Sequence, residues 1–356
     1  MPGHDIVVVG FSAGGIEPLQ QLVADLPSDF PASILVVHHF PPMSISALAS
    51  ILARSGILPA LQPADGDEIV PGRIYVALPD HHLLVGDDSV RLTHGPREHG
   101  HRPAIDPLFR TAARSFGPRV IGVILSGTLD DGTAGLLAVK QAGGLAVVQD
   151  PEEAAYPGMA LSALRNVRVD HVARAADMGA LLDRLVRLPA SEPPEANSRP
   201  DQTDPTDPEP AVAGTAELRT GHPPGQASRV VCPECGGVLW ESQNGGVLHF
   251  RCHVGHAYSA ETLLASQSDA LEGALWRAVR ALEEKAALSH RLAHRSRERG
   301  MHRASAQFET AARNAEQGSD MIRESLLKGP TREALETPTE AAAVELEDRL
   351  SGTDLR

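Results

Sequence analysis

The chain has 356 residues, with 46 Asp plus Glu against 32 Lys plus Arg and a formal net charge of −14, which suggests about two domains and argues against a general nucleic-acid binder, since that needs a basic face toward phosphate. Hydrophobic residues make up 42% and aromatic ones 3%, so a core of ordinary size must be built from Ala, Val, Leu and Ile. No run approaches the roughly 18 apolar residues of a spanning helix, and the short run Ile6 to Gly10 has no basic region before it, so a cytoplasmic protein without membrane insertion is expected.

In chain order, residues 6–9, 34–37, 74–77, 120–125 and 146–148 are short β-branched runs. Helical patterns occupy residues 16–25, 44–55, 106–116, 132–143 and 176–188. Strands apolar on both faces that alternate with helices predict an α/β fold, a doubly wound and mostly parallel sheet over residues 1–190. Residues 81–85 and 90–92 flank Gly86-Asp87-Asp88-Ser89 and predict an antiparallel hairpin inserted into that pattern. Residues 191–228 carry Pro193, Pro194, Pro200, Pro205, Pro208 and Pro210 with few large apolar side chains. They read as a disordered, self-repelling linker. A cysteine-bearing module follows at 229–258. Residues 259–328 carry Leu264, Leu271, Leu275, Ala278 and Leu282, then Phe308, Ala312, Ala315, Ile322 and Leu326, at helical spacing around a break near Gly300. They predict a helical hairpin or coiled coil, with a flexible tail at 329–356.

Two readings compete for Gly10-Phe11-Ser12-Ala13-Gly14-Gly15, between the first strand and the first helix. A dinucleotide fingerprint wants Gly where Ser12 stands and an acid at the end of strand two, where His38 and His39 stand instead. G-x-S-x-G is the pattern of a nucleophile elbow, with an exposed hydroxyl at a helix N-terminus that favours an oxyanion. A serine N-cap on an ordinary turn is the plain rival. Other strand ends add to the catalytic reading, because functional groups gather at the C-terminal edge of a parallel sheet. His38-His39 closes strand two, and only one of the two can face Ser12. Gly127-Thr128-Leu129-Asp130-Asp131-Gly132 follows a later strand. Ser, His and Asp are the parts of an acyl-transfer triad.

Several further segments occur in order: His39-Phe40-Pro41-Pro42, Asp65-Gly66-Asp67, Pro71 to Pro79, His101-Arg102-Pro103-Ala104-Ile105-Asp106-Pro107-Leu108-Phe109, Gly122 to Gly127, Asp131-Gly132 and Gly158-Met159. Together with the serine turn they make residues 5 to about 188 resemble the catalytic domain of the chemotaxis protein-glutamate methylesterases. The resemblance implies hydrolysis of glutamate methyl esters on methyl-accepting chemoreceptors, often with glutamine deamidation, and a receptor methyltransferase in the same pathway. It carries the nucleophile onto Ser12, the base onto His39 and the orienting carboxylate onto Asp131. It makes the backbone N–H near Thr128 an oxyanion donor. His101 and Arg102 are candidate walls of the substrate cleft, or the anchor of the helix at Asp106. No cofactor is expected for catalysis. In the family's best-studied architecture a receiver domain precedes the esterase; here the resemblance begins at Asp5, so control by phosphorylation within this chain is not expected.

All three cysteines lie in the third module. Cys232-Pro233-Glu234-Cys235-Gly236-Gly237, followed by Cys252-His253-Val254-Gly255-His256, has the ligand types and spacing of a structural zinc site. His256 is favoured over His253, because the Gly255 turn can bring it round. A redox C-x-x-C would want a thioredoxin-like βαβ setting that this segment lacks. The zinc module and the helices resemble a tail of some stand-alone esterase relatives, and an interaction or homo-oligomerisation role is expected of them. A catalytically decayed scaffold, or an esterase of other specificity, are the alternatives.

Overall fold

The computed structural model describes residues 3–39, 46–86, 88–190, 225–244 and 246–328. The linker expected at 191–228 lies outside the described residues up to 224, as does the tail at 329–356. The chain divides into two compact units, Met1–Leu263 and Leu264–Arg356.

Nine strands occupy the first part of the larger unit: β1 (Ile6–Phe11), β2 (Ser33–His38), β3 (Ala60–Leu61), β4 (Ile74–Val76), β5 (His82–Val85), β6 (Val90–Thr93), β7 (Val120–Ile124), β8 (Leu145–Gln149) and β9 (His171–Ala173). Six helices alternate with them: α1 (Ile16–Ala24), α2 (Leu48–Ser55), α3 (Ile105–Phe116), α4 (Thr133–Gln141), α5 (Gly158–Asn166) and α6 (Ala175–Val186). The main sheet has the order β3-β4-β2-β1-β7-β8-β9, and every pairing is parallel. Alternation along β1 fixes its two faces. Ile6 and Val8 join the layer of Leu108, Phe109, Leu136 and Met159, from α3, α4 and α5. Val7, Val9 and Phe11 join that of Leu22, Leu52, Met178 and Leu182, from α1, α2 and α6. Both faces are therefore covered, as continuous β-branched runs require.

From β1 the chain winds toward β2 and β4, then returns to place β7 on the other side of β1. Such a reversal leaves a crevice at the C-terminal ends of the two strands, here β1 and β7.

The expected antiparallel hairpin forms as β5–β6, in a two-stranded sheet of its own. Three differences from expectation stand out. The helix expected from residue 44 is described from Leu48; residues 44 and 45 lie outside the described set. The short strands β3 and β9 and the helix α5, nine residues long, were not among the expected elements. Finally, the cysteine module is part of the first compact unit, whereas its sequence suggests a separately tethered piece. It consists of β10 (Gln226–Val231), β11 (Val238–Asn244), β12 (Val247–Cys252) and β13 (Ala257–Ser259), an antiparallel four-stranded ribbon.

Two helices fill the described part of the second unit, α7 (Ala260–Glu298), which begins within the first unit, and α8 (His302–Lys328). Glu283 pairs with Arg323, His290 with Glu316 and Arg297 with Glu309. One partner rises by seven as the other falls by seven, so the helices run antiparallel. Among the described residues, no helix is long and apolar enough to cross a membrane.

Candidate active site

Ser12 is the first residue after β1, and its N–H donates to the Ser126 carbonyl at 3.0 Å. The Ser126 hydroxyl donates to the Ala13 carbonyl at 2.8 Å and accepts the Tyr156 N–H at 3.0 Å. These bonds tie the β1 turn to the loop after β7 across the crevice. Gly127 sits where only glycine fits: a Cβ there would lie 2.0 Å from Met159 Sδ and 3.0 Å from Ser12 Cβ.

Ser12, His39 and Asp131 meet at this rim. The Ser12 Oγ lies 3.1 Å from His39 Nδ1, and His39 Nε2 lies 2.7 Å from Asp131 Oδ2. Asp131 is an acceptor only, so the ring proton belongs on Nε2 and the Nδ1 lone pair faces the hydroxyl. That is the tautomer a base needs. The neighbouring His38 turns to the other side and meets the Phe11 ring with centroids 4.6 Å apart. Burial, then the imidazole of His39, pushes its pKa down to about 4.

Helix α3 builds the floor under the carboxylate. Asp131 accepts the Ile105 N–H on Oδ2 at 2.8 Å and the Asp106 N–H on Oδ1 at 3.1 Å, groups left free at a helix start that favour an anion. Burial alone would raise the Asp131 pKa. The His99 charge, the His39 bond and these N–H donors together hold it well below the carboxylate range.

The remaining expected residues fall out differently. His101 stacks on His39 with centroids 3.8 Å apart and ring planes 8° from parallel. Burial, then His39, lowers its pKa to about 3, so it stays neutral. Arg102 donates to Asp80 Oδ1 at 2.6 and 3.0 Å and to the Gly95 carbonyl at 2.7 Å, which makes it an anchor of the loop ahead of α3. Thr128 is exposed, and its N–H donates to no acceptor among the described residues.

The four expected metal ligands come together. Cys232, Cys235, Cys252 and His256 offer ligand atoms all within 4.8 Å of one another. Cys235 Sγ lies 3.6 Å from Cys252 Sγ, and His256 Nδ1 lies 3.5 Å from Cys252 Sγ and 3.6 Å from Cys232 Sγ. Two tight turns present the ligands: Gly236 N–H donates to the Cys232 carbonyl at 2.8 Å, and Gly255 N–H to the Cys252 carbonyl at 3.0 Å. The other ring nitrogen of His256 is 3.3 Å from Glu234 Oε2. His253 is exposed and outside the cluster.

Sequence reasoning overlooked His99, Asp106, Ser259 and Thr262, all buried within this site or its edge. His99 Nε2 donates to Asp106 Oδ2 at 2.9 Å and lies 3.7 Å from Asp131 Oδ1. Burial opposes a charge on His99, but Asp131, then Asp106 and Asp130, outweigh it and raise its pKa to about 10. The one signal for this network in the sequence is the segment His101 to Phe109, which contains Asp106.

Residues 7–182 match the CheB methylesterase family. A protein from Anaeromyxobacter dehalogenans, named protein-glutamate methylesterase/protein-glutamine glutaminase 2, is 37% identical over 183 residues, covering 51% of this chain and 54% of its own length. A similarly named protein from Methanosarcina mazei is 31% identical over 192 residues, covering 52% of each. This chain thus spans about half the length of those two curated relatives. A relative from Leptospira interrogans is 37% identical over 183 residues, which is 95% of its length. Among solved structures, the Thermotoga maritima CheB methylesterase catalytic domain matches with a TM-score of 0.50 and 35% identity, over 52% of this chain and all of that one.

Proposed function

The chain belongs to the CheB methylesterase family, and on that premise we propose that it hydrolyses glutamate methyl esters on methyl-accepting chemoreceptors through Ser12, His39 and Asp131. The observation that carries the reading is the pair of contacts at 3.1 and 2.7 Å that links hydroxyl, imidazole and carboxylate. A free serine is too weak an acid to attack an ester. His39 Nδ1 takes its proton as Oγ bonds to the ester carbon. Asp131 holds the Nε2 proton and stabilises the imidazolium. On this reading the Thr128 N–H and the N-terminal end of α1 supply the stabilisation of the developing oxyanion. His39 then protonates the departing methanol, and water, activated by the same ring, releases the glutamate. Glutamine would follow the same route with ammonia as leaving group. His101 walls the cleft against His39, keeping one face of the ring from water.

The reading extends to the rest of the chain. A tetrahedral zinc with bonds of about 2.3 Å to sulfur and 2.0–2.1 Å to nitrogen sets neighbouring ligand atoms about 3.5–3.8 Å apart. The contacts of 3.5–3.6 Å within the Cys232, Cys235, Cys252 and His256 cluster fit that figure. Glu234 would orient His256, as outer carboxylates do for metal-bound imidazoles. A bound zinc would fix the ribbon's fold. We assign α7 and α8 to a coiled coil for self-association, given exposed Leu271, Trp276, Leu288 and Met321. Sedimentation of the full chain tests that assignment. The proposed setting is the cytoplasm, beside a receptor methyltransferase that supplies the esters.

Methanol release from a methylated receptor is the test. Ser12→Ala is expected to lower it about ten-thousand-fold or more, and Asp131→Asn about a thousand- to ten-thousand-fold. No methanol from the wild-type, zinc-loaded chain rejects the assignment.

A further inference from the structure

The ribbon touches the esterase domain at the loop ahead of α3. Ala257 N–H donates to the Arg97 carbonyl at 3.3 Å, and His99 N–H donates to the Ala257 carbonyl at 2.7 Å. A chain of side-chain bonds continues from there. His99 Nδ1–H donates to Thr262 Oγ1 at 3.0 Å, Thr262 O–H to Ser259 Oγ at 2.8 Å, and Ser259 O–H to Asp130 Oδ1 at 2.8 Å. At its other ring nitrogen His99 meets Asp106 and, at 3.7 Å, Asp131. The Thr262 hydroxyl also lies 3.4 Å from the Ser259 carbonyl, and the Ser259 and Thr262 N–H groups donate to Thr262 Oγ1 and Ser259 Oγ at 3.0 Å each. His99, Asp106, Asp130, Asp131, Ser259 and Thr262 are all buried, so a lost partner could not be replaced by bulk water without opening the seam. His99 also holds a φ of +54°, a left-handed conformation that a non-glycine residue keeps only when its surroundings impose it.

Ala257 follows the ligand His256 directly, and Arg251, beside Cys252, lies 3.6 Å from Glu98. The order of the metal knuckle therefore reaches the triad's supporting loop within one residue. Among the described residues the ribbon's own core is Cys232, Leu239, Phe250, Cys252 and Tyr258, with Leu263 of α7 against them, too little for a segment of this size to fold on burial alone.

We propose that the metal-closed ribbon is a positioning element for the esterase triad: Ala257 and Thr262 hold His99 against Asp131, and Ser259 holds Asp130. The proposal rests on the triad reading above. Thr262 and His99 are positioning residues, since they act on His39 through Asp131. Loosening the ribbon removes two acceptors from His99 and leaves the catalytic carboxylate less firmly set, which lowers turnover and not substrate binding.

The test uses the full chain in four forms: zinc-loaded, chelator-stripped, stripped with zinc restored, and zinc-loaded Thr262→Val beside Thr262→Ser. Two readouts are followed with zinc content. One is the low-field proton resonance of the hydrogen shared by His39 and Asp131, which needs no substrate. The other is Ser12 acylation by p-nitrophenyl acetate, read as p-nitrophenolate release and checked against Ser12→Ala. Stripping and Thr262→Val should each lower kcat about tenfold, with KM within about twofold, and should broaden or shift the resonance. Restored zinc and Thr262→Ser should recover both, while Thr262→Val keeps its zinc. A stripped or Thr262→Val protein with the wild-type resonance and acylation rate overturns the proposal, as does a change in KM alone. If acylation depends on Ser12 but methylated receptors release no methanol, the substrate assignment fails and the coupling is still read. If Ser12→Ala acylates normally, the triad fails and takes this proposal with it.

Discussion

The parallel sheet and the ribbon share one compact unit yet are held together by different means. On the sheet, Val7, Val8, Val9, Leu35 and Val36 are completely inaccessible, and helices cover both faces. At roughly 25 cal/mol per Å² of buried apolar surface, such layers offset their ordering entropy without help. Among the described residues the ribbon puts five buried side chains into its core cluster, with Leu263 of α7 as a sixth, and two of the five are thiols of the Cys-His cluster. Where apolar area runs out, the zinc proposed for the Cys232, Cys235, Cys252 and His256 cluster would take over. The seam between the regions follows neither pattern. It is built on directed hydrogen bonds, from His99 to the Ala257 carbonyl and Thr262 Oγ1 and from Ser259 to Asp130. Bonds of this kind add little net stability and much geometric definition.

Removing the metal should separate the two regions most sharply. Structural zinc contributes about 10 kcal/mol or more of folding free energy to small modules. With chelator, amides of β11 and β12 should lose their protection from hydrogen exchange while those of β1, β2 and β7 keep theirs. Equal loss in both regions would mean that the sheet depends on the ribbon for its fold, and the contrast would fail.

Next in size is a pH effect beside the seam, carried by the His99 charge facing Asp131, Asp106 and Asp130 and not by the seam's own bonds. The pKa of His99 is raised in the folded chain, to about 10. Its contribution is therefore fully present below its unfolded value of about 6.5 and is lost as pH rises through the folded one. Each unit of that shift corresponds to about 1.4 kcal/mol, so several kcal/mol should disappear between about pH 6.5 and 10. Urea midpoints across that window should fall for the wild type and stay level for His99→Gln. The carboxylates act at the other end. Glu98 is fully enclosed, which would raise its pKa, but Arg110 and then Arg251 hold it at about 2. Its contribution is lost only as pH falls from its unfolded value toward that figure.

Truncation sharpens the contrast further. Leu35→Ala should cost about 2–5 kcal/mol in a cooperative unfolding transition. Leu239→Ala, equally buried in the ribbon, should cost less in zinc-loaded protein if, as proposed, the ligands and not the side chain set that fold.

Much of this architecture was legible in the sequence. The β-branched runs located β1, β2, β4, β7 and β8 to within a residue or two, because strands buried on both faces need such runs. The serine turn, the histidine pair and the acid pair were visible for a related reason: each sits where a strand ends, and strand ends were already known. Strands β3 and β9 have two and three residues and no alternation to detect. Arg102 shows a different limit. Its position next to His101 left a cleft wall and an anchor of the Asp106 helix equally open, and the choice falls to the anchor through Asp80, 22 residues back. His99 was invisible for the same reason in stronger form, since its Thr262 partner is 163 residues away. No local pattern encodes a bond between two separately folded edges.

The smallest expected effect concerns the helical unit, where neither a deep core nor a ligand is at work. Its buried positions are small, among them Ala286, Ala293, Ala312, Ala315 and Ser319, so the helices approach closely with little apolar area between them. The ion pairs of Glu283 with Arg323, His290 with Glu316 and Arg297 with Glu309 edge that contact. The Glu283 and Arg323 side chains are 50% and 41% exposed. Exposed pairs of this kind contribute about 0.2–1 kcal/mol and weaken with salt. Glu283→Gln should thus lower the melting temperature of the helices slightly in low salt and scarcely at all near molar salt. Widening the contact should matter more. Ala293→Leu forces extra methylenes into a tight seam, at a cost of about 1–3 kcal/mol. If Glu283→Gln proved the costlier of the two, charge and not close packing would set the register of this hairpin.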